Sequence, residues 1–202
     1  YDPGQQLVPV THVGTGPQTL AVNRRIPVTP LPELIAYAKA NPGKLNFTAA
    51  GTQNVSHLAP VLLFALAGID LVFVPAKGGP QAVSDIMSGQ VDVYFGNSSE
   101  LLPHINSDKI RLLATGAAQR LAAVPDLPTV AETIPGFESA AWFGVVAPPK
   151  TPKAIVDKLN ADINEALRDP EVKRRLAQLS SDVVGGSPDE TARYMREEVE
   201  RW

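Results

Sequence analysis

Leu45-Asn46-Phe47-Thr48-Ala49-Ala50-Gly51-Thr52-Gln53-Asn54-Val55-Ser56-His57-Leu58-Ala59-Pro60-Val61-Leu62-Leu63-Phe64-Ala65-Leu66-Ala67-Gly68 reads as a strand, a small polar turn and a helix. Residues 45–48 alternate apolar and polar, and Ala49-Ala50-Gly51 is too small to pack for itself. Asn54 or Ser56 supplies an N-cap for a helix whose body is read as Leu58, Leu62, Leu63 and Leu66, with Gly68 at the C′ position. Such a turn leaves backbone N–H groups free at a helix N-terminus, beside a glycine that lets a ligand reach the main chain. Thr52, Gln53, Asn54 and Ser56 add neutral donors, and no Lys or Arg is present. This is an anion cradle suited to reversible capture of a carboxylate rather than a polyphosphate. An ordinary capped βα turn has the same grammar.

The same alternation continues on both sides. Upstream, Thr29-Pro30 opens a helix with Leu31, Leu34, Ile35 and Ala38 on its apolar face, stopped by Asn41-Pro42-Gly43. Downstream, residues 71–74 form a short apolar strand ended by Pro75. Lys77-Gly78-Gly79-Pro80 is a second strand-to-helix turn, leading into Ala82, Val83, Ile86 and Met87. Residues 91–95 are the next strand, Gly96-Asn97-Ser98-Ser99 a third polar turn, and residues 111–115 a further strand. Strands alternating with helices imply a parallel sheet of βαβ units, with all three polar turns at strand C-terminal ends, where open α/β sheets form their ligand crevice. Residues 7–23 read as two extended runs around Gly14-Thr15-Gly16-Pro17. That stretch lacks the third glycine and the helix of a dinucleotide fingerprint, and Leu45 stands where a P-loop needs Ser or Thr after Lys44.

The C-terminal part differs. Residues 139–149 are extended and apolar. A long helix follows Thr151-Pro152, with Ile155, Leu159, Ile163 and Leu167 read as its apolar face. A second follows Asp169-Pro170 with Val172, Leu176 and Leu179, and a third opens at the capping box of Ser187 and Glu190. One short strand, residues 182–184, lies between the last two. These helices need more sheet than this part supplies.

Composition narrows the function classes. Of the 202 residues 44% are hydrophobic, the net charge is −3, and there is no cysteine, so disulfides and thiol catalysis are excluded. No basic stripe suggests nucleic acid as a partner. His12, His57 and His104 lack metal-ligand spacing, and no cofactor is implied. Ser56 and His57, as helix neighbours, point about 100° apart and cannot form a nucleophile–base pair. Asp85, Asp92 and Glu100 are read as solvated carboxylates, and Lys77 as exposed. No catalytic residue is identified.

Several motifs in order then carry a resemblance over essentially the whole chain: the central stretch, Val74-Pro75-Ala76-Lys77-Gly78, Gly89-Gln90-Val91-Asp92-Val93, Leu102-Pro103-His104-Ile105, Leu127-Pro128-Thr129-Val130-Ala131-Glu132, Pro135-Gly136-Phe137-Glu138 and Trp142-Phe143-Gly144. The chain resembles the substrate-binding receptors of tripartite tricarboxylate transporters, the Bug-type receptors. The resemblance implies an α/β fold like type II periplasmic binding proteins. Residues 23–141 would form one complete parallel-sheet ligand-binding lobe. Residues 1–22 and 142–202 would form a partial second lobe with crossover strands and C-terminal helices. It further implies a non-enzymatic, periplasmic receptor for a small organic acid, working with membrane transporter components. Ala50, Gly51, Thr52, Gln53, Asn54, Ser56 and His57 would hold the ligand, with Gly96 and Asn97 lining the same site. Family members commonly carry an aromatic where Ala76 stands, an Asp where Gly96 stands, and a further region ahead of the residue numbered 1 here. The expectation is therefore the C-terminal portion of a receptor, with weak ligand binding and a homo-oligomer formed through the incomplete lobe. The rival readings are a small hydrolase or transferase using Ala50–Ser56 as an oxyanion site, and the ligand-sensing domain of a regulator.

Overall fold

The structure, a computed structural model, describes residues 6–201. Contacts divide the chain into two units, one of Pro17–Ala141 and one comprising residues 6–16 and 142–201 of the described chain.

The Pro17–Ala141 unit is built on a five-stranded sheet. Its strands are the second half of β1 (Val8–Asn23), β2 (Asn46–Ala49), β3 (Val72–Pro75), β4 (Val93–Asn97) and β5 (Ile110–Thr115), in the order β3-β2-β4-β1-β5. β2 pairs in parallel with β3 and with β4, as βαβ connections demand. β1 runs antiparallel between β4 and β5, with Thr19 opposite both Gly96 and Thr115. The two extended runs expected around Gly14-Thr15-Gly16-Pro17 are therefore one sixteen-residue strand. The sequence reading began this lobe at Asn23. The unit begins at Pro17 because residues 18–23 are laddered to β4 and β5.

Helices cover both faces of that sheet. On one face α1 (Leu31–Ala40) and α2 (Val55–Ala67) pack Leu31, Leu34, Leu63 and Phe64 against Leu20, Val22, Phe47, Val93 and Phe95. On the other, α3 (Gly79–Ser88) and the short α4 (Ser98–Leu101) place Ala82, Ile86 and Leu101 on Ala21, Tyr94, Ile110 and Leu112. Each large side chain so buried is worth about 1.5–3 kcal/mol. α2 turns a different face inward from the one read in the sequence. Ala59, Pro60, Leu63, Phe64 and Ala67 are buried, whereas Leu58, Leu62 and Leu66 are at least 37% exposed. Small residues allow the helix to approach the sheet closely, which leaves the leucines outside.

Asp92 corrects a second reading. Only 5% of its side chain is exposed, and it is not a solvated carboxylate. Its Oδ1 accepts from Arg25 Nε and Nη2 at 2.9 and 2.7 Å, and its Oδ2 accepts from the Asn46 N–H at 3.0 Å. Asn46 Oδ1 accepts the Asp92 N–H in return at 2.7 Å. This reciprocal pair fixes the N-terminal ends of β2 and β4, opposite the polar turns.

In the other unit, the first half of β1 pairs antiparallel with β7 (Asp182–Gly185), and β6 (Ala140–Ala147) also pairs with β1. A Cβ on Gly14 would stand 2.6 Å from the Asp182 carbonyl oxygen, so this approach needs bare backbone. α5 (Lys153–Arg168) buries Val156 and Leu167, Val156 joining a small core with Val10 and Ala147. Ile155 and Leu159, expected inside, are 50% and 39% exposed. Asn160 and Asn164 explain the rotation. Asn160 Nδ2 donates to the carbonyls of Val10 and Gly186 at 2.8 Å each, and Asn164 Nδ2 to that of Gly186 at 3.0 Å. α6 (Pro170–Gln178) buries no residue. α7 (Pro188–Arg201) opens at the expected capping box, with Glu190 N–H donating to Ser187 Oγ at 3.2 Å and Ser187 N–H to Glu190 Oε2 at 2.7 Å.

Candidate functional site

The turn between β2 and α2 is held by its own side chains. Asn54 is the N-cap, and its Oδ1 accepts from the His57 N–H at 3.2 Å and from Ser56 Oγ at 2.7 Å. Asn54 Nδ2 donates back to the Ala50 carbonyl at 3.0 Å, and the Ala50 N–H donates to Ser56 Oγ at 3.0 Å. Gly51 adopts φ +114°, and a Cβ there would stand 3.1 Å from Asn54 Nδ2. Gln53 also takes a positive φ, +59°, which for a residue with a side chain is sparsely populated and costs about 1–3 kcal/mol.

This bracing settles what each residue offers. Asn54 and Ser56, which looked like direct donors, spend their polar atoms on the turn itself. The N–H groups of Thr52, Gln53, Asn54, Val55 and Ser56 have no acceptor among the described residues. Thr52 and Gln53 are exposed and Gly51 is half-buried. The turn therefore offers a run of consecutive bare N–H groups at a helix N-terminus, where the dipole favours negative charge. His57 stands apart. Its ring lies 4.3 Å from Phe73 and 6.3 Å from Phe47, so its side chain packs toward the core and only its N–H serves the cap.

Gly96 and Asn97 end β4, the strand beside β2. Thr48 pairs with Tyr94, so continuing that register by two residues puts Ala50 level with Gly96. Thr19 of β1 lies on the other side of Gly96, and its Oγ1 meets Ser98 Oγ at 2.7 Å in a buried contact. Gln18 is fully buried and opposite Asn97; its Oε1 accepts from Ser139 Oγ, and its Nε2 has no partner among the described residues. Thr48 Oγ1 and Thr115 Oγ1 are likewise buried without a partner.

Sequence reasoning missed Gln18, Thr19 and Tyr94, and read Glu100 as a solvated carboxylate, whereas it accepts from Tyr94 and Asn97. The available signal for the first two was a Gln-Thr pair where a central strand usually carries apolar residues. Tyr94 and Glu100 gave none: Tyr94 Oη donates to Glu100 Oε2 at 2.5 Å across six residues. Burial, the Glu100 hydrogen bond and the Glu100 charge, in that order, push the Tyr94 hydroxyl far above its ordinary range, so it serves as a donor.

No group of three His, Asp or Glu side chains among the described residues could hold a metal ion. No helix among them is long and apolar enough to cross a membrane. A cavity of about 300 Å³ in the other unit is lined by His12, Gly185, Glu190, Arg193 and Tyr194. There His12 packs on Tyr194 at 4.5 Å, and burial lowers its pKa.

Comparison with known proteins gives these features a context. The family model described as "Tripartite tricarboxylate transporter family receptor" matches residues 1–202. A protein of Pseudomonas sp., "UPF0065 protein in tcbD-tcbE intergenic region", is 37% identical over 204 residues, covering 100% of this chain and 61% of the relative. The chain thus spans about three fifths of the length of such curated relatives. Among solved structures, "R. palustris Rpa4515 with adipate" superposes with a TM-score of 0.94 at 32% identity, covering 100% of this chain and 68% of that one. "MatC (Rpa3494) from Rhodopseudomonas palustris with bound malate" does so with a TM-score of 0.93 at 32% identity, over 100% and 70%.

Proposed function

The chain belongs to the tripartite tricarboxylate transporter receptor family, and from that premise we propose that it captures a small carboxylated solute for a membrane transporter. The observation that carries this reading is the run of unpartnered N–H groups from Thr52 to Ser56 in a turn without a cation. A carboxylate placed there gains several hydrogen bonds and the helix dipole, yet is free to leave. Ala50, Gly51, Thr52, Gln53, Asn54, Ser56 and the His57 N–H form or brace the cradle, and Gly96 and Asn97 border it. Relatives of the same fold with bound adipate and malate support the choice of ligand class. The rest of the reading follows the family: a non-catalytic receptor, periplasmic, acting beside membrane components. Ile155 and Leu159, both exposed on α5, are the surface through which the chain would associate with itself, which sedimentation measures.

A thermal-shift screen against mono-, di- and tricarboxylates is the direct test. A specific ligand at 100 times its Kd adds about 2.7 kcal/mol of stability. Absence of any shift, or turnover of a bound acid, overturns the receptor reading.

A further inference from the structure

Two helices of ordinary length start at the strand-end edge of the Pro17–Ala141 unit, and their N-termini differ. That of α2 is bare. That of α3, in the Lys77–Pro80 turn, has Gly78 as its N-cap and no side-chain cap. Glu100 lies there instead: a Cβ on Gly79 would fall on the Glu100 carboxylate, 2.6 Å from Cδ. Tyr94 Oη donates to Glu100 Oε2 at 2.5 Å and Asn97 Nδ2 to Oε1 at 3.2 Å. No ion pair between Glu100 and a cation is formed among the described residues. The arrangement depends on two missing side chains. Gly79 leaves room for the carboxylate, and Gly96 leaves room for the Tyr94 ring, into which a Cβ at 96 would project.

We propose that Glu100 is a specificity-determining residue of the carboxylate site: it fills the second anion position at this edge and admits, opposite itself, a hydrogen-bond donor rather than a second carboxylate. The inference rests on the reading of the α2 turn as the ligand cradle. Strand register brings the two positions together, since Gly96 and Asn97 border the cradle and Asn97 is bonded to Glu100. Adjacent strands are about 4.8 Å apart and α2 and Glu100 lie on opposite faces of the sheet, so a ligand needs at least a four-carbon backbone to reach from the cradle across the strand ends towards Glu100. A carboxylate at its far end would meet a negative charge already held in place by Tyr94 and Asn97, and like charges brought together disfavour binding. An amide, hydroxyl or ammonium would instead donate to the lone pairs that Tyr94 and Asn97 leave free. Specificity of this kind comes from a built-in repulsion as much as from a new attraction.

Succinate and its half-amide, succinamate, differ only at that terminal group. Calorimetric titration of the whole chain with both should show the half-amide bound more tightly, by roughly tenfold or more. Glu100→Gln keeps the shape while removing the charge: its amide oxygen can still accept from Asn97 Nδ2 and its amide nitrogen can donate to Tyr94 Oη, and it should erase or invert the preference. Glu100→Ser serves the same purpose if the glutamine variant does not fold. An unchanged preference in the folded variant overturns the role of Glu100 while leaving the cradle standing. If the wild-type chain binds neither probe nor any other carboxylate, the cradle reading falls and this inference with it.

Discussion

The two units stabilise themselves by different means. The Pro17–Ala141 unit has an apolar layer on each face of its sheet and a buried reciprocal pin, Asp92 with Asn46 and Arg25. The unit containing α5, α6 and α7 has a core of Val10, Ala147 and Val156, and lines its helices with exposed ion pairs. Lys153–Asp157, Lys158–Asp162 and Arg175–Glu171 are all i,i+4 pairs on the surface. The contrast separates a frame packed on both faces, which aims backbone groups at one edge, from a set of helices that share a small core and carry their charges on the surface.

That contrast can be broken at graded cost. Asp92→Ala should have the largest effect. It strips the half-exposed Arg25 side chain and the Asn46 N–H of a buried acceptor, and should cost about 3 kcal/mol in urea unfolding, because three hydrogen bonds to a charged group are lost together. Gly51→Val comes next. It forces a β-branched residue to φ +114° against Asn54 Nδ2, and should lower stability by about 1–3 kcal/mol and abolish the carboxylate-induced thermal shift. Retention of full affinity would place the ligand elsewhere. Ser56→Ala removes a hydroxyl that both accepts from Ala50 and donates to Asn54, so affinity should weaken by roughly 0.5–1.5 kcal/mol through loosening of the turn. The smallest effect belongs to the other unit. Lys158→Ala should change its stability by no more than about 0.5 kcal/mol, because an exposed i,i+4 pair is solvated either way. A loss comparable to that of Asp92→Ala would erase the distinction between the units.

Legibility followed the range of the interactions. Caps and stops are decided within a few residues, so Asn54, Gly68 and the Ser187–Glu190 box were readable. The polar turn was readable for the same reason, although its unpaired donors are main-chain N–H groups, with Asn54 and Ser56 as braces. Faces were less so. The leucine spacing in α2 pointed outward because Ala59, Pro60 and Ala67 pack closer to the sheet than leucine can. In α5 the hydrogen bonds of Asn160 and Asn164 to distant carbonyls set the rotation, and no local pattern encodes them. Long-range pairing escaped almost entirely. Asp92 alternates with valines as a solvated strand residue would, and only the fold brings Arg25 and Asn46 to it. The antiparallel insertion of β1 between β4 and β5 is of the same kind, because periodicity reports a strand but not its neighbours.

Tyr94 lies across the position where any side chain on Gly96 would begin. The two sites are therefore epistatic. Alanine or aspartate at 96 is excluded while the tyrosine keeps this rotamer, yet it becomes sterically open once Tyr94 is replaced by a shorter residue. A mutational scan of single substitutions would score Gly96 as immutable, and a pairwise library would not. The order in which the two positions change, rather than the identity of either alone, governs which variants of this edge can be reached one step at a time.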